Sequence, residues 1–231
     1  MLEAIGYDRD LAQWAATADS RLGRVLRVER GLATLLTESG EVRASYGGRM
    51  LGWMAADSGQ APCVGDWAVL RDWPDRRVTV ERVVPRRTSL RGSVGEHVLA
   101  ANVDLVAVVI AADAFQDAYA RTGPIMAMAE RSGARSLLVL TRCDRVADLP
   151  IVEGADVLAT SAHTGLGLQE LRGLVESHLT LAMLAVPGQG KSELLRALVG
   201  DLAVRRAPKR MLHVLPSGGA VIDTPCLRAI A

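Results

Sequence analysis

The sequence predicts an α/β protein in which a small N-terminal β-barrel precedes a mostly parallel sheet flanked by helices. Three observations predict this class. The 231 residues are 49% hydrophobic but only 3% aromatic, so aliphatic side chains must build the core. Short β-prone runs broken by turn residues fill the first third of the chain. Beyond them, apolar runs of strand length alternate with helical stretches, which is typical of a parallel sheet.

Composition excludes several classes of protein. The formal net charge of +1 argues against a strongly basic nucleic-acid coat. The three cysteines lie far apart without a CxxC pair, so we expect neither a disulfide framework nor a cysteine zinc site. The N-terminus lacks the pattern of a secretory signal, and the apolar run near residues 103–112 is too short to span a bilayer. We therefore expect a soluble cytoplasmic monomer with no membrane partner.

The first part of the chain divides into a lead segment and a barrel. Residues 1–19 form an amphipathic lead segment, with Leu11, Trp14 and Ala15 at helical spacing, that we expect to pack on the body. Residues 20–84 are assigned to the barrel. Its predicted strands, separated by Gly, Ser, Pro and Asp turns, are residues 24–28, 32–36, 41–45, 66–71 and 78–84.

A basic, glycine- and serine-containing connector at residues 85–98 separates the barrel from a second domain at residues 99–231. Short apolar strands and helices alternate in this second domain, which indicates a parallel sheet. The predicted strands are residues 105–111, 136–140, 156–158, 181–186 and 220–222, and the predicted helices are residues 124–132, 168–178 and 191–199.

The strongest motif is the glycine loop at residues 185–192, with the sequence AVPGQGKS. It follows an apolar strand and opens a helix, so its backbone N–H groups and the positive end of the helix dipole point toward an anion. Lys191 is positioned to reach nucleotide phosphates, and Ser192 to ligate Mg²⁺. The predicted nucleotide-binding residues of this loop are Pro187, Gly188, Gln189, Gly190, Lys191, Ser192 and Glu193.

Asp223 ends another apolar strand, and a turn at residues 217–219 predicts a hairpin before it. An aspartate at such a strand end holds Mg²⁺ directly or through water, and so complements Ser192. Standing alone, the Asp-Thr-Pro sequence is an ordinary turn, and the glycine loop upstream is what favours the metal role. We assign no catalytic residue.

Two segments after predicted strands are candidates for reading a base. Residues 141–144 have the sequence TRCD, and the Asp144 carboxylate would accept hydrogen bonds from the N1–H and amine of guanine. Residues 160–162 follow another short strand, where Ser161 and Ala162 would back the purine. Thr141 and Arg142 complete this set.

Together these residues resemble the circularly permuted GTPases of the RsgA (YjeQ) ribosome-biogenesis family. In ordinary GTPases the phosphate loop comes first, whereas here the base-reading candidates precede the glycine loop, which precedes Asp223. The likeness covers residue 20 onward and includes the connector and the segment LPSGG before Asp223. It implies an OB-fold barrel, a P-loop GTPase domain, GTP or GDP with Mg²⁺ as ligands, and the rRNA of the small ribosomal subunit as partner.

The chain departs from that family at several positions. The family's NKxD is TRCD here, and its DTPG is DTPC, with Cys226 in place of glycine. Residues 201–215 contain no Thr or Ser to serve as a first switch, and Leu227 has no polar group to orient water. The family's helical, Cys/His zinc-binding domain has no counterpart before Ala231, so we expect no zinc in this chain.

These departures define the predicted activity and its alternatives. The sequence favours a GTP-binding protein that hydrolyses GTP slowly. One alternative is a degenerate paralogue that docks on RNA or protein without hydrolysis, favoured by the missing switch threonine. The other is a P-loop ATPase or kinase, favoured by the altered TRCD and disfavoured by the motif order. A basic segment containing Arg205, Arg206, Lys209 and Arg210 is either an RNA contact or a solvated loop.

Overall fold

The computed structural model describes residues 2–15, 20–92, 97–175, 178–200 and 210–226. The lead segment begins with helix α1 (Arg9–Ala12), whose N-terminus is capped by the Asp8 carboxylate accepting a 2.9 Å hydrogen bond from the backbone N–H of Leu11. Leu11 and Trp14 pack against the main core, and the Arg82 guanidinium lies 4.6 Å from the centre of the Trp14 ring. The expected packing of this segment on the body is therefore confirmed for its described part.

Five strands then close into a barrel, in the order β1-β2-β3-β5-β4 with β4 pairing back to β1. All pairs are antiparallel except β3 with β5, which are parallel. The sequence predicted each strand to within a few residues. The strands are β1 (Ser20–Glu29), β2 (Leu32–Thr37), β3 (Gly40–Tyr46), β4 (Trp67–Asp72) and β5 (Val78–Val83).

The barrel also contains helix α2 (Gly48–Ala56), which the sequence did not predict. Gly47 and Gly48 are typical turn residues after a predicted strand, but Gly47 instead forms the N-terminal cap of the helix. Met50 on this helix is buried in the barrel core, so tertiary packing outweighs the low helix propensity of the glycines. Trp67 is also buried, as core packing predicts, whereas Trp53 remains exposed.

The predicted connector is partly ordered into a two-stranded hairpin of β6 (Ser89–Arg91) and β7 (Val98–Ala101), and residues 93–96 lie outside the described part. Just before it, Arg86 makes a bidentate ion pair with the buried Asp66 carboxylate, at 2.7 and 2.8 Å. Arg86 also donates to the carbonyls of Gly59 and Ala61. The connector is therefore fixed to the barrel wall rather than loosely tethered.

The second part is a six-stranded sheet in the order β10-β9-β8-β11-β13-β12, parallel except for the antiparallel β12–β13 hairpin. Together with the barrel, it confirms the predicted fold class. The strands are β8 (Leu105–Ala111), β9 (Arg135–Thr141), β10 (Val157–Ala159), β11 (Thr180–Leu184), β12 (Met211–Val214) and β13 (Ala220–Asp223). The helices are α3 (Phe115–Tyr119), α4 (Gly123–Arg131), α5 (Leu168–Gly173) and α6 (Lys191–Val199).

The central strands are apolar because helices cover both faces of the sheet. All seven residues of β8 are buried, and alternate residues belong to two separate core clusters. Strand β11 ends at Leu184, two residues earlier than predicted, and Leu184 is the last of its residues to pair with β8. Helix α5 ends at Gly173 rather than His178. Among the described helices, none has the length and apolar character that crossing a membrane requires.

Arg24 of β1 joins the barrel to the sheet. Its side chain is fully buried and donates hydrogen bonds to the carbonyls of Ile5 and Asn102 and to the Thr180 hydroxyl. Burial lowers the pKa of Arg24 to about 10, which leaves the guanidinium charged at neutral pH.

The N-terminal segment contacts both parts of the molecule at adjacent residues. Besides the Ile5 carbonyl, which accepts from Arg24, the Ala4 carbonyl accepts a 2.7 Å hydrogen bond from the backbone N–H of Gly219. Gly219 lies in the turn of the β12–β13 hairpin. The lead segment therefore lies between the barrel and the sheet.

Candidate functional site

The glycine loop connects β11 to α6, as the sequence predicts. Gly190 forms the N-terminal cap of α6 with φ of 78°, a left-handed conformation that L side chains rarely adopt. A Cβ at this position would lie 2.8 Å from Oγ1 of Thr141, so a side chain is also excluded by space. Pro187 and Gly188 are exposed at the tip of the loop. The loop thus presents bare backbone at the start of a nine-residue helix.

Two hydrogen bonds at Gln189 fix the loop to the neighbouring strands. The Thr141 hydroxyl donates to the Gln189 carbonyl at 2.8 Å, and the Gln189 side-chain oxygen accepts from the backbone N–H of Ala111 at 2.9 Å. Thr141 and Gln189 are both buried. Thr141 therefore braces the glycine loop with its hydroxyl, although it stands where the RsgA motif has Asn. No sequence pattern predicts the contact of Gln189 with Ala111, because these residues are distant along the chain.

Lys191 lies beneath the loop and is only 5% exposed. Its ammonium forms an ion pair with the Asp223 carboxylate and donates to the Thr224 carbonyl at 2.5 Å. The Thr224 hydroxyl in turn donates to the Met183 carbonyl on β11. The fold therefore brings together Lys191 and Asp223, two site residues that are predicted from separate motifs.

Ser192 is exposed at the first turn of α6, and Asp223 is partly exposed at the end of β13. Hydroxyl and carboxylate oxygens are ligands that Mg²⁺ accepts, and Mg²⁺ is commonly held by one or two protein groups while phosphate oxygens and waters complete its shell. Within the described ranges, no cluster of three or more His, Cys, Asp or Glu side chains forms a self-sufficient metal site. The donors present therefore fit a Mg²⁺ ion that a phosphate ligand helps to hold.

A cavity of about 100 Å³ adjoins the glycine loop at the ends of β9 and β10. The predicted base-reading residues line it together with Gly190 and Glu193, so the base-reading candidates lie next to the start of α6. The lining residues are Thr141, Arg142, Asp144, Arg145, Ser161, Ala162, His163, Gly190 and Glu193.

Asp144 is exposed in a short 3₁₀ turn at the end of β9. A hydrogen bond from the Ser161 hydroxyl lowers the pKa of Asp144, so this carboxylate is an ionised acceptor at neutral pH. The buried Ser161 side chain is itself positioned by the backbone N–H groups of His163 and Thr164, at 3.2 and 3.1 Å. The pair is thus arranged to accept hydrogen bonds from a ligand in the cavity.

Charged side chains surround Arg142, which adopts a left-handed backbone with φ of 56°. Its guanidinium lies 3.6 Å from the Asp113 carboxylate and 3.9 Å from the Glu193 carboxylate. Arg145 also pairs with Asp113, at 3.4 Å. Sequence reasoning missed Asp113, whose available signal was its position just past the carboxyl end of a central parallel strand.

Several predicted features fall outside the described residues. Residues 201–209, which include Arg205, Arg206 and Lys209, and Leu227 are among them. Arg210 and Cys226 are described, and both are exposed.

A model of the RsgA GTPase family matches residues 83–231. The chain belongs to the RsgA GTPase family. It is 34% identical to the small ribosomal subunit biogenesis GTPase RsgA of Streptomyces coelicolor, over 99% of this chain and 69% of that protein. It is 30% identical to the small ribosomal subunit biogenesis GTPase RsgA 2 of Lactiplantibacillus plantarum, over 90% of this chain and 66% of that protein. The chain thus spans about two thirds of the length of these RsgA relatives.

Two solved structures share the fold of this chain. YjeQ from Thermotoga maritima aligns with a TM-score of 0.67 at 21% identity, covering 89% of this chain and 74% of that one. YloQ, described as a circularly permuted GTPase, aligns with a TM-score of 0.61 at 19% identity, covering 91% and 72%. The predicted resemblance to circularly permuted RsgA GTPases is therefore confirmed at the level of family and fold.

Proposed function

We propose that this chain binds GTP and GDP with Mg²⁺ and acts in the biogenesis of the small ribosomal subunit. One observation carries the proposal, namely that the glycine loop and the guanine-reading candidates line a single site. Membership of the RsgA GTPase family supports it, since the curated relatives are named small ribosomal subunit biogenesis GTPases.

In this proposal each part of the site has a separate role. Lys191 and the backbone N–H groups of residues 188–193 hold phosphate oxygens, and Asp144, with Ser161 and Ala162, recognises guanine. Ser192 and Asp223 hold Mg²⁺, which when bound neutralises charge on the phosphates. Because Lys191 pairs with Asp223, a phosphate group would compete with the Asp223 carboxylate for the Lys191 ammonium.

We further propose that GTP hydrolysis by the isolated protein is slow. Residues 201–215 offer no hydroxyl side chain, and Leu227 offers no group to hold a water. Cys226 replaces the glycine that would bring its backbone N–H freely to the γ-phosphate. Similar affinities for GDP and GTP are expected, unless ribosomal RNA or a partner supplies the missing groups.

The barrel is the proposed contact with ribosomal RNA. Two guanidinium groups flank Trp73 near the β4–β5 hairpin, with Arg71 at 4.1 Å and Arg77 at 5.8 Å from the ring centre. Hairpin loops of OB-folds often bind nucleic acid, where cations meet phosphates and aromatic rings stack on bases. A cytoplasmic location and a monomeric state remain predictions.

Calorimetry with GDP, GTP and ATP, each with Mg²⁺, tests the nucleotide proposal. We expect guanine nucleotides to bind more tightly than ATP, and equal affinity for ATP and GTP would refute base reading by Asp144. Single-turnover hydrolysis of GTP tests the rate, and brisk turnover by the isolated protein, abolished in Lys191→Ala, would refute slow hydrolysis.

Co-sedimentation with purified small ribosomal subunits tests the RNA proposal. Trp73→Ala with Arg77→Ala should weaken binding and reduce its salt dependence, because a phosphate contact is removed. Arg135→Ala serves as the matched control, since this exposed arginine belongs to β9 of the sheet rather than to the barrel and is paired with Asp156. Equal binding by wild type and the Trp73 variant would refute this surface.

A further inference from the structure

We propose that Asp113 and Glu193 are positioning residues that hold the Arg142 guanidinium over the base cavity, so that Arg142 covers a bound purine. The proposal rests on the nucleotide-binding function proposed above and adds two residues outside the base-reading motif. Asp113 follows β8, Arg142 follows β9 and Glu193 lies in the first turn of α6. Three separate elements thus contribute one charged group each.

The geometry places Arg142 between the two carboxylates. The distances are 3.6 Å from Nη1 to Asp113 and 3.9 Å from Nη2 to Glu193, so each carboxylate faces a different terminal nitrogen. Arg142 is only partly exposed, at 28% of its side chain, and it lines the cavity. Two carboxylates, each facing a different terminal nitrogen, favour the orientation in which the guanidinium lines the cavity over orientations that point into solvent.

Restricting Arg142 matters because the guanidinium is planar. A planar cation stacks on an aromatic face, and stacking on a base contributes measurably to the binding of nucleotides. An arginine free to rotate would spend part of its time away from the cavity and would lose entropy on stacking. Holding it in place before the ligand arrives reduces that loss.

Glu193 also folds back toward the glycine loop. A Cβ built on Gly190 would lie 3.4 Å from Oε2 of Glu193, so this carboxylate is close to the path that the nucleotide phosphates are proposed to take. Its negative charge opposes the binding of any phosphate ligand. The positioning of Arg142 by Glu193, in contrast, affects only the binding of the base. These two effects are separable by comparing a ligand that has a base with one that lacks it.

The test compares GDP with inorganic pyrophosphate as competitors of a fluorescent GDP analogue, using the full chain with Mg²⁺. The dissociation constant of pyrophosphate divided by that of GDP measures how much the nucleoside contributes to binding. We expect Asp113→Asn and Glu193→Gln each to reduce this ratio by about two- to five-fold, as is usual for partly exposed ion pairs. Pyrophosphate alone should bind equally or more tightly, since a negative charge is removed.

Asp156→Asn is the matched control, because Asp156 also pairs with an exposed arginine, at 2.8 Å, but lies before β10 and away from the cavity. Asp113→Glu should keep the ratio close to wild type because it retains the charge. Equal shifts for GDP and pyrophosphate, or an unchanged ratio in both variants, would overturn the positioning role. Failure of the wild type to bind GDP would instead refute the proposed function, and this proposal with it.

Discussion

Thr141→Val tests how the glycine loop is held in shape. Valine has the same shape as threonine but lacks the hydroxyl that donates to the Gln189 carbonyl at 2.8 Å. Both residues are buried, so water does not readily replace the lost donor. The carbonyl that this substitution orphans belongs to the loop residue next to Gly190.

The expected cost follows from that burial. An unsatisfied buried acceptor destabilises a protein by about 1–3 kcal/mol, which for a chain of this size lowers the melting temperature by about 2–4 °C per kcal/mol. The same free energy sets the upper limit on the loss of nucleotide affinity, about 5- to 150-fold. Pyrophosphate should lose affinity as well as GDP, because the loop that Thr141 braces is the proposed phosphate site.

Thermal melts and competition binding on Thr141→Val and Thr141→Ser measure these effects. Serine retains the hydroxyl and should stay near wild type. If Thr141→Val melts and binds GDP like the wild type, the Thr141 hydroxyl does not brace the loop and the reasoning fails.

Three further predictions concern the same site. Lys191→Ala should weaken GDP binding by about 10- to 150-fold through loss of a charge-assisted contact of about 1.5–3 kcal/mol, and unchanged calorimetry would contradict the phosphate role. Asp144→Asn should erode the preference for GTP over ATP. The hydrogen bond from Ser161 lowers the pKa of Asp144, so the wild-type preference for GTP should persist at pH values below the usual carboxyl pKa. It should disappear only as the pH falls through the lowered pKa. Loss of the preference at a higher pH in an acid titration would exclude the Asp144 carboxylate as the base-reading group. Cys226→Gly should raise the affinity for GTP relative to GDP, and an unchanged ratio would show that Cys226 does not limit the γ-phosphate contact.

The order of elements was predictable because each has a local signature. Alternation and turn residues predicted the barrel strands, and strand β8 and helix α6 begin and end where their apolar patterns indicated. Helix α2 was missed because its stability comes from burying Met50 in the barrel, while its own glycines oppose helix formation.

The site was predictable only where a motif carries chemistry in a short run of residues. The glycine loop, Asp144 and Asp223 have such local patterns. Asp113 contacts Arg142, and the Gln189 side chain contacts Ala111. The partners in each pair are far apart along the chain, so no local pattern predicts these contacts. The pairing of Lys191 with Asp223 likewise depends on the register of β11 with β13.

The position of the lead segment has a mechanical consequence. The Ala4 carbonyl is bonded to Gly219, and the next carbonyl, that of Ile5, is bonded to Arg24 of the barrel. Gly219 also lies close to the segment after α5, since a Cβ on it would be 1.9 Å from the Val175 carbonyl. A displacement of the β13 strand that carries Asp223 must therefore break the bond to Ala4 or pull the lead segment with it. Two consecutive carbonyls, those of Ala4 and Ile5, thus couple movements of the strand that carries Asp223 to movements of the barrel.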